Sequence, residues 1–191
     1  KSGARFDEKR LLWLNGAHVR NIPVDKLYEY VSPWDDKPQK DGGQTGFWPE
    51  SAYAPNITKE YRMKVLALAQ DRLKMFEDLR GFGYFFAEPE INMELIDGNK
   101  QLKKLSDSER RELLKTARAE LAKLADWTPE SIQNCLNKLL ETTGQKPGTL
   151  FSLIRIAVTW APFSPQLNDT LALIGRERTL KRFQKYLDIK D

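Results

Sequence analysis

The residues with the most chemical potential lie in RIAVTWAPFSPQL, residues 155–167. Arg155 opens an apolar helical run, Pro162 and Pro165 break it, and Ser164 and Leu167 flank the second proline. An arginine on a face of Ile154, Ala157 and Val158 is costly unless its N–H donors meet acceptors. Two explanations fit: a structural ion pair, or a donor set aimed at a ligand. An arginine near a rigid loop is a means of reading base edges in a splayed single strand. A second basic pattern, Arg178, Lys181, Arg182 and Lys185, falls at i, i+3, i+4 and i+7. That spacing puts it on the outer face of a last helix, with Leu180, Phe183 and Leu187 inward. Arg111, Lys115 and Arg118 form a shorter stripe. Such stripes are usually solvated faces; the functional alternative is phosphate contact, which positions a nucleic acid without reading it.

Other chemistry is missing. There is no glycine-rich phosphate loop, no paired metal-ligand spacing and no Ser/His/Asp set. One cysteine, Cys135, and one histidine, His18, make neither an internal disulfide nor a zinc site. Cys135 falls among Ile132, Leu136 and Leu139 at helical spacing and reads as a small buried hydrophobe. His18, in NGAHVR, reads as a surface or packing residue, and Asp35–Asp36 as a solvated pair in a polar loop. The net charge of +4 leans mildly toward acidic partners. With 191 residues, 40% hydrophobic and 30% charged, the chain can bury a real core. No apolar run is long enough to span a bilayer, and KSGARFDEKR carries no hydrophobic signal region. The start reads as the middle of a longer protein.

These residues need positioning, and the patterning that supplies it is helical. FDEKRLLWLNGAHVR reads as a short amphipathic helix with Leu11, Leu12 and Leu14, closed by Asn15–Gly16. A second helix follows Pro23 with Leu27, Tyr30 and Val31 on one face. WDDKPQKDGGQTGFWPESAYAP is a long loop anchored by Phe47 and Trp48. Thr58 caps TKEYRMKVLALAQDRLKMF, whose stripe is Tyr61, Val65, Leu68 and Ala69. GFGYFFAEPEINMELIDGNKQ is a connector between two helical subdomains. Beyond it, Ser106 and Glu109 have capping-box spacing before Leu113, Ala117, Leu121 and Leu124. Thr128–Pro129 opens a helix that Gly144 ends, and Pro147 opens the next, with Leu150, Leu153, Ile154, Ala157 and Val158. DTLALIG and RERTLKRFQKYL supply two more. No stretch alternates with period two, and no repeat of fixed length is present. The fold class is all-α.

At this point the residues resemble a family. GTLFSLIRIAVTWAPFSPQLNDTLALIGRERTLKR resembles the C-terminal anticodon-binding region of bacterial-type glutamyl-tRNA synthetases, which are class I aminoacyl-tRNA synthetases. FDEKRLLWLNGAHVR is similar to the segment of those enzymes that touches the inner corner of the tRNA, and VLALAQDRLKMFEDL to their central helix. The resemblance runs over nearly the whole chain, in order. It implies two helical subdomains forming an anticodon-binding superhelical region: residues 1–22 as the end of a stem-contact segment, 23–95 and 96–191 as the two subdomains. It implies that Arg72 contacts the third anticodon base, and that Arg155 with Ser164, Pro165 and Leu167 reads the central and neighbouring bases. Arg176, Arg178, Lys181, Arg182 and Lys185 are the expected contacts to the tRNA backbone. The implied parent is a glutamate–tRNA ligase that uses ATP and magnesium through signatures lying upstream. This fragment, lacking them, is expected to hold no cofactor or metal and to be inactive alone. The expected partner is the tRNA for glutamate, with the tRNA for glutamine left open. The expected state is a monomer without membrane contact, in the bacterial cytoplasm ahead of an organelle matrix.

The sequence departs from the family where a common proline and glycine are replaced by Leu153 and Trp160. After Pro165 the usual apolar pair becomes Gln166-Leu167-Asn168, and the Gly-rich loop at 41–46 looks like an insertion. Two other classes compete on the residues alone: a helical protein-interaction domain whose arginines form structural ion pairs, and a non-specific RNA-binding helical module.

Overall fold

The computed structural model describes residues 7–32 and 46–189, and among these every regular element is a helix. Contacts divide the chain into two compact units, 1–87 and 88–191. The first contains α1 (Glu8–Asn21), α2 (Val24–Val31) and α3 (Lys59–Ala69), with 3₁₀ turns at Glu50–Tyr53, Gln70–Arg72 and Phe76–Phe85. Asp7 caps α1 by accepting from the Arg10 amide at 3.1 Å. The expected stop at Asn15–Gly16 does not occur; α1 runs through it to Asn21. Those two residues serve packing instead. Gly16 is buried, and a Cβ there would sit 3.4 Å from the Leu73 carbonyl and 3.5 Å from Lys74 Cα. Asn15 donates its side-chain amide to the Lys74 carbonyl. The helix ends where Ile22, preceding Pro23, is forced extended. The expected stripe also turns outward, since Leu11, Trp13 and Leu14 are exposed while Gly16 and Val19 face the core.

α2 buries Leu27, Tyr28 and Val31, and α3 buries Val65, Leu66 and Ala69. The anchoring role expected of Phe47 and Trp48 is present: Trp48 is fully buried and donates to Ser32 Oγ at 2.7 Å, and Phe47 meets the Phe76 ring edge-on. Asp35–Asp36 and the Gly-rich loop, apart from Gly46, lie outside the described residues. Thr58 caps α3, accepting from Tyr61 N at 3.2 Å. That helix stops at Ala69 rather than near Phe76. The Asp78 carboxylate accepts from the amides of Lys74 and Met75 at 2.7 and 2.9 Å, offering the backbone an alternative to helix. The aromatic half of the expected connector is core: Phe82, Tyr84, Phe85 and Phe86 are all buried.

The second unit holds α4 (Glu94–Asp97), α5 (Asp107–Ala122), α6 (Pro129–Thr143), α7 (Pro147–Thr159), α8 (Leu167–Ile174) and α9 (Arg176–Leu187). The capping box of α5 is complete, and the Ser106 amide and hydroxyl hold the Glu109 carboxyl below its ordinary range. Its buried face is Leu114, Ala117 and Leu121, so Leu114 rather than Leu113 points inward. α6 begins at Thr128–Pro129, ends at Gly144, and buries Cys135 with Ile132, Leu136 and Leu139. Burial pushes the Cys135 thiol above its ordinary pKa. α6 packs on α8, α9 packs on α5, α7 and α8, and α7 is buried on nearly every side through its last two turns.

Gly175 joins α8 to α9 at φ 91° and ψ 156°, a region that side-chain-bearing residues rarely enter. No atom lies within 4 Å of a Cβ built there, so any cost of substitution is conformational. Gly175→Ala is therefore expected to destabilise the chain by ~1–3 kcal/mol in urea unfolding. An unchanged midpoint would show that the joint relaxes freely.

Candidate nucleic-acid interface

Arg155 lies two turns into α7, half-buried on a helix whose neighbouring positions Ile154, Ile156, Ala157 and Val158 are buried. Its Nε donates to Ser164 Oγ at 2.9 Å, and the Ser164 hydroxyl donates in turn to the Pro165 carbonyl at 2.8 Å. The serine proton is thus committed within the loop, and the serine's work is to orient the guanidinium. Ser164 is 4% exposed, and Pro165 and Leu167 are buried beside it. These three expected contact residues are turned inward, with Ser164 bonded to Arg155, while Pro162, Phe163 and Gln166 face outward. The outward set follows no periodicity, and sequence patterning had no means to find it.

The loop takes its direction from Trp160. This residue is left-handed, at φ 47° and ψ 37°, a conformation that costs a non-glycine residue ~1–2 kcal/mol. Its amide donates to Ile156 O at 2.8 Å, and its ring stacks inward on Tyr186 of α9, with centroids 5.6 Å apart and planes 12° from parallel. Burial pushes the Tyr186 phenol above its ordinary pKa. The tryptophan therefore presents no outer face; it sets the path of the loop from within.

Arg72 sits in the first unit on the 3₁₀ turn after α3, exposed and without a hydrogen bond or ion pair to any described residue. Its turn is fastened on both sides. Gln70 donates to Val19 O at 2.9 Å and to Ile22 O at 2.7 Å, carbonyls at the end of α1. The backbone of Leu73 and Lys74 lies against Gly16 and Asn15.

The basic stripes come apart in the structure. Lys181 is exposed, Arg178 is half-buried, and Lys185 donates to Pro89 O at 3.1 Å. Arg182, expected on the outer face, is 1% exposed. Its Nη1 donates to Val158 O at 3.0 Å, and its Nε lies 3.5 Å from Glu88. It falls with Thr179, Phe183 and Tyr186 at i, i+3, i+4 and i+7 on the buried face of α9, where the orphan carbonyl of α7 meets it. Arg176 donates to the carbonyls of Leu124 and Ala125 and lies over the Trp127 ring. Arg111 pairs with Asp107 and donates to Leu187 O and Ile189 O, each at 2.7 Å. Arg118 points Nε at Leu180 O, 3.4 Å away. Among the described residues no group of three or more His, Cys, Asp or Glu side chains could hold a metal ion, and no helix is long and apolar enough to cross a membrane.

Comparison with known proteins places these features in one family. The family model of the anticodon binding domain matches residues 26–187. The chain is 30% identical over 182 residues to a glutamate–tRNA ligase of Chloroflexus aurantiacus, covering 95% of this chain and 34% of that protein. It is 31% identical over 192 residues to the corresponding ligase of a Roseiflexus species, covering 96% and 34%. Its fold matches a solved glutamate tRNA ligase of Elizabethkingia meningosepticum with a TM-score of 0.68 at 22% identity, over 98% of this chain and 34% of that one. The chain spans about a third of the length of these relatives.

The two neighbours in the α9 stripe separate structure from surface. Arg182→Ala leaves the buried Val158 carbonyl without its donor and is expected to cost ~2–4 kcal/mol of stability. Lys181→Ala should stay within ~0.5 kcal/mol. Equal urea midpoints for the two variants would contradict the buried placement of Arg182.

Proposed function

Because the chain belongs to the anticodon-binding domain family, we propose that it reads the anticodon of a tRNA for glutamate. The observation that carries this is the Arg155 guanidinium, oriented by Ser164 in a proline-stiffened loop. Arginine only donates, and uracil presents carbonyl acceptors, so an aimed guanidinium suits the central base of a glutamate anticodon. Ser164, Pro165 and Leu167 support that contact. At the third position, cytosine offers O2 and N3 as acceptors, whereas guanine offers N1–H and N2–H donors. Arg72, exposed on a pinned turn, suits cytosine there and repels guanine. Lys181, Arg178 and Lys185 are assigned to the tRNA backbone; Arg176 and Arg182 support them from within.

The parent of such a segment is a glutamate–tRNA ligase, acting as a monomer in the bacterial cytoplasm, with ATP and magnesium bound by the remaining two-thirds of its length. The fragment alone is expected to bind tRNA without activating glutamate. Glutamine tRNA is the second candidate substrate, and the Arg72 position decides it. Residues 1–22 are assigned to the stem-contact segment, and 23–95 and 96–191 to the two anticodon-binding subdomains.

Two measurements test the assignment. In a double-mutant cycle between Arg155→Ala and a change of the central anticodon base, the coupling is expected at ~1–3 kcal/mol with folding intact. Zero coupling removes Arg155 as a reader, and binding that falls with salt but ignores the anticodon would point to a non-specific RNA-binding module. Arg72→Gln supplies an amide that both donates and accepts, so it should bind a third-position G better relative to C than the parent chain does. An unchanged ratio removes Arg72 from that role.

A further inference from the structure

Three exposed cations meet at the turn that carries Arg72. Arg72 and Lys74 belong to the turn itself, and Arg20 comes to it from the last turn of α1. A helical side chain lies back over the turn before its own Cα, so Arg20 covers position 16. That position is Gly16. The Arg20 Nη1 lies 3.4 Å from where a Cβ would stand, and the same point is 3.4 Å from Leu73 O and 3.5 Å from Lys74 Cα. The missing side chain thus lets the guanidinium settle beside the backbone of residues 73–74. None of the three cations makes a hydrogen bond or ion pair through its side chain to a described residue. The nearby acids do not answer them. Asp71 is exposed and pairs with none of the three, and the Asp78 carboxylate is held by the Lys74 and Met75 amides at 2.7 and 2.9 Å. Arg111, Arg176 and Arg182 serve carbonyls of their own chain; these three cations do not. Like charges gathered at one turn repel, and an anion from outside relieves that repulsion.

We propose that Arg20 and Lys74 clamp a phosphodiester of the RNA strand beside the base that Arg72 meets, an assignment that rests on the anticodon reading above. The three side chains divide the work. The Arg20 fork can hold two phosphate oxygens, and Lys74 adds a compact charge. Neither contact carries sequence information; both fix the register of the strand. Arg72 then chooses, because its donors require acceptors at one base edge. Residues 1–22 read as a stem-contact segment, yet the end of α1 is fastened to this turn through Gln70. Arg20 and Arg72 therefore keep one spacing, and a strand held by the first is presented to the second.

The test titrates the chain with an anticodon stem-loop RNA of the glutamate type at several salt concentrations. Each phosphate of the RNA is replaced in turn by an uncharged methylphosphonate. Arg20→Gln and Lys74→Gln each remove one charge. Either variant is expected to weaken binding about threefold to tenfold, and to lower the slope of log Kd against log salt by about 0.7, the value for one phosphate on a single strand. The loss should be the same with C or G at the third anticodon position. It should vanish on the RNA whose neutral linkage adjoins that base, because the contact is then already gone. Urea midpoints should match the parent, since both side chains are exposed. Parent-like binding by either glutamine variant overturns the clamp. So does a loss that depends on C or G, or one that couples only to phosphates of the stem. If the clamp fails while Arg72→Gln still shifts the C-to-G ratio, the anticodon reading stands. If coupling to the neutral linkage persists while Arg72→Gln leaves that ratio unchanged, the clamp stands and Arg72 is not the reader.

Discussion

The second unit is organised around a helix that ends inside protein. α7 brings its last two turns into the core, where its terminal carbonyls cannot turn to water and must find donors among neighbouring groups. The Trp160 amide makes the last i→i−4 bond to Ile156 O before the residue turns left-handed, the Thr159 hydroxyl donates to the Arg155 carbonyl at 2.8 Å, and Arg182 crosses from α9 to Val158 O. Each solution fixes something else. Going left-handed turns the chain into the Pro162–Pro165 loop, and stacking of the indole on Tyr186 offsets the conformational cost. The buried guanidinium of Arg182 puts positive charge at the negative end of the helix. With the loop directed, Ser164 arrives where its hydroxyl accepts from Arg155.

The same need recurs at other helix ends and engages several arginines of the expected basic stripes. Arg111 serves the end of α9, Arg176 the chain just beyond α5, and Gln70 the end of α1. Arginine suits this work because its planar fork reaches two carbonyls at once, as Arg111 does with Leu187 and Ile189. A positive net charge therefore overstates the surface available to phosphates. Of the basic residues expected to meet tRNA, Lys181 on α9 and Arg72 on its turn are the exposed ones, while other exposed lysines such as Lys26, Lys59, Lys103 and Lys138 are scattered over other elements.

Helix starts were legible in the sequence because capping is local chemistry. Thr58, the Ser106–Glu109 box and Thr128–Pro129 all act within four residues of themselves. Helix ends were legible where a glycine dictated them, as at Gly144, while the end of α1 at Ile22–Pro23 was missed. Asn15–Gly16 misled because the glycine answers to the backbone of residues 73–74, far along the chain. Arg182 misled for another reason: Leu180, Phe183 and Leu187 suggested one inner face, whereas α9 buries Thr179, Arg182, Phe183 and Tyr186, and a carbonyl on another helix satisfies the buried guanidinium. The Arg155 loop could be found from residue types alone, an arginine and a serine between prolines. Which of its residues face outward depends on Tyr186 and Arg182, and neither lies within the motif.

The pair of hydrogen bonds from Gln70 to the end of α1 gives that helix a mechanical part. Gln70 holds the Val19 and Ile22 carbonyls, and Asn15 holds Lys74, so α1 grips both shoulders of the turn that carries Arg72. A tilt of α1 is a tilt of Arg72, with no slack segment between them to absorb it. The helix works as a lever arm, and a load on its outward Leu11, Trp13 and Leu14 would be felt at the guanidinium.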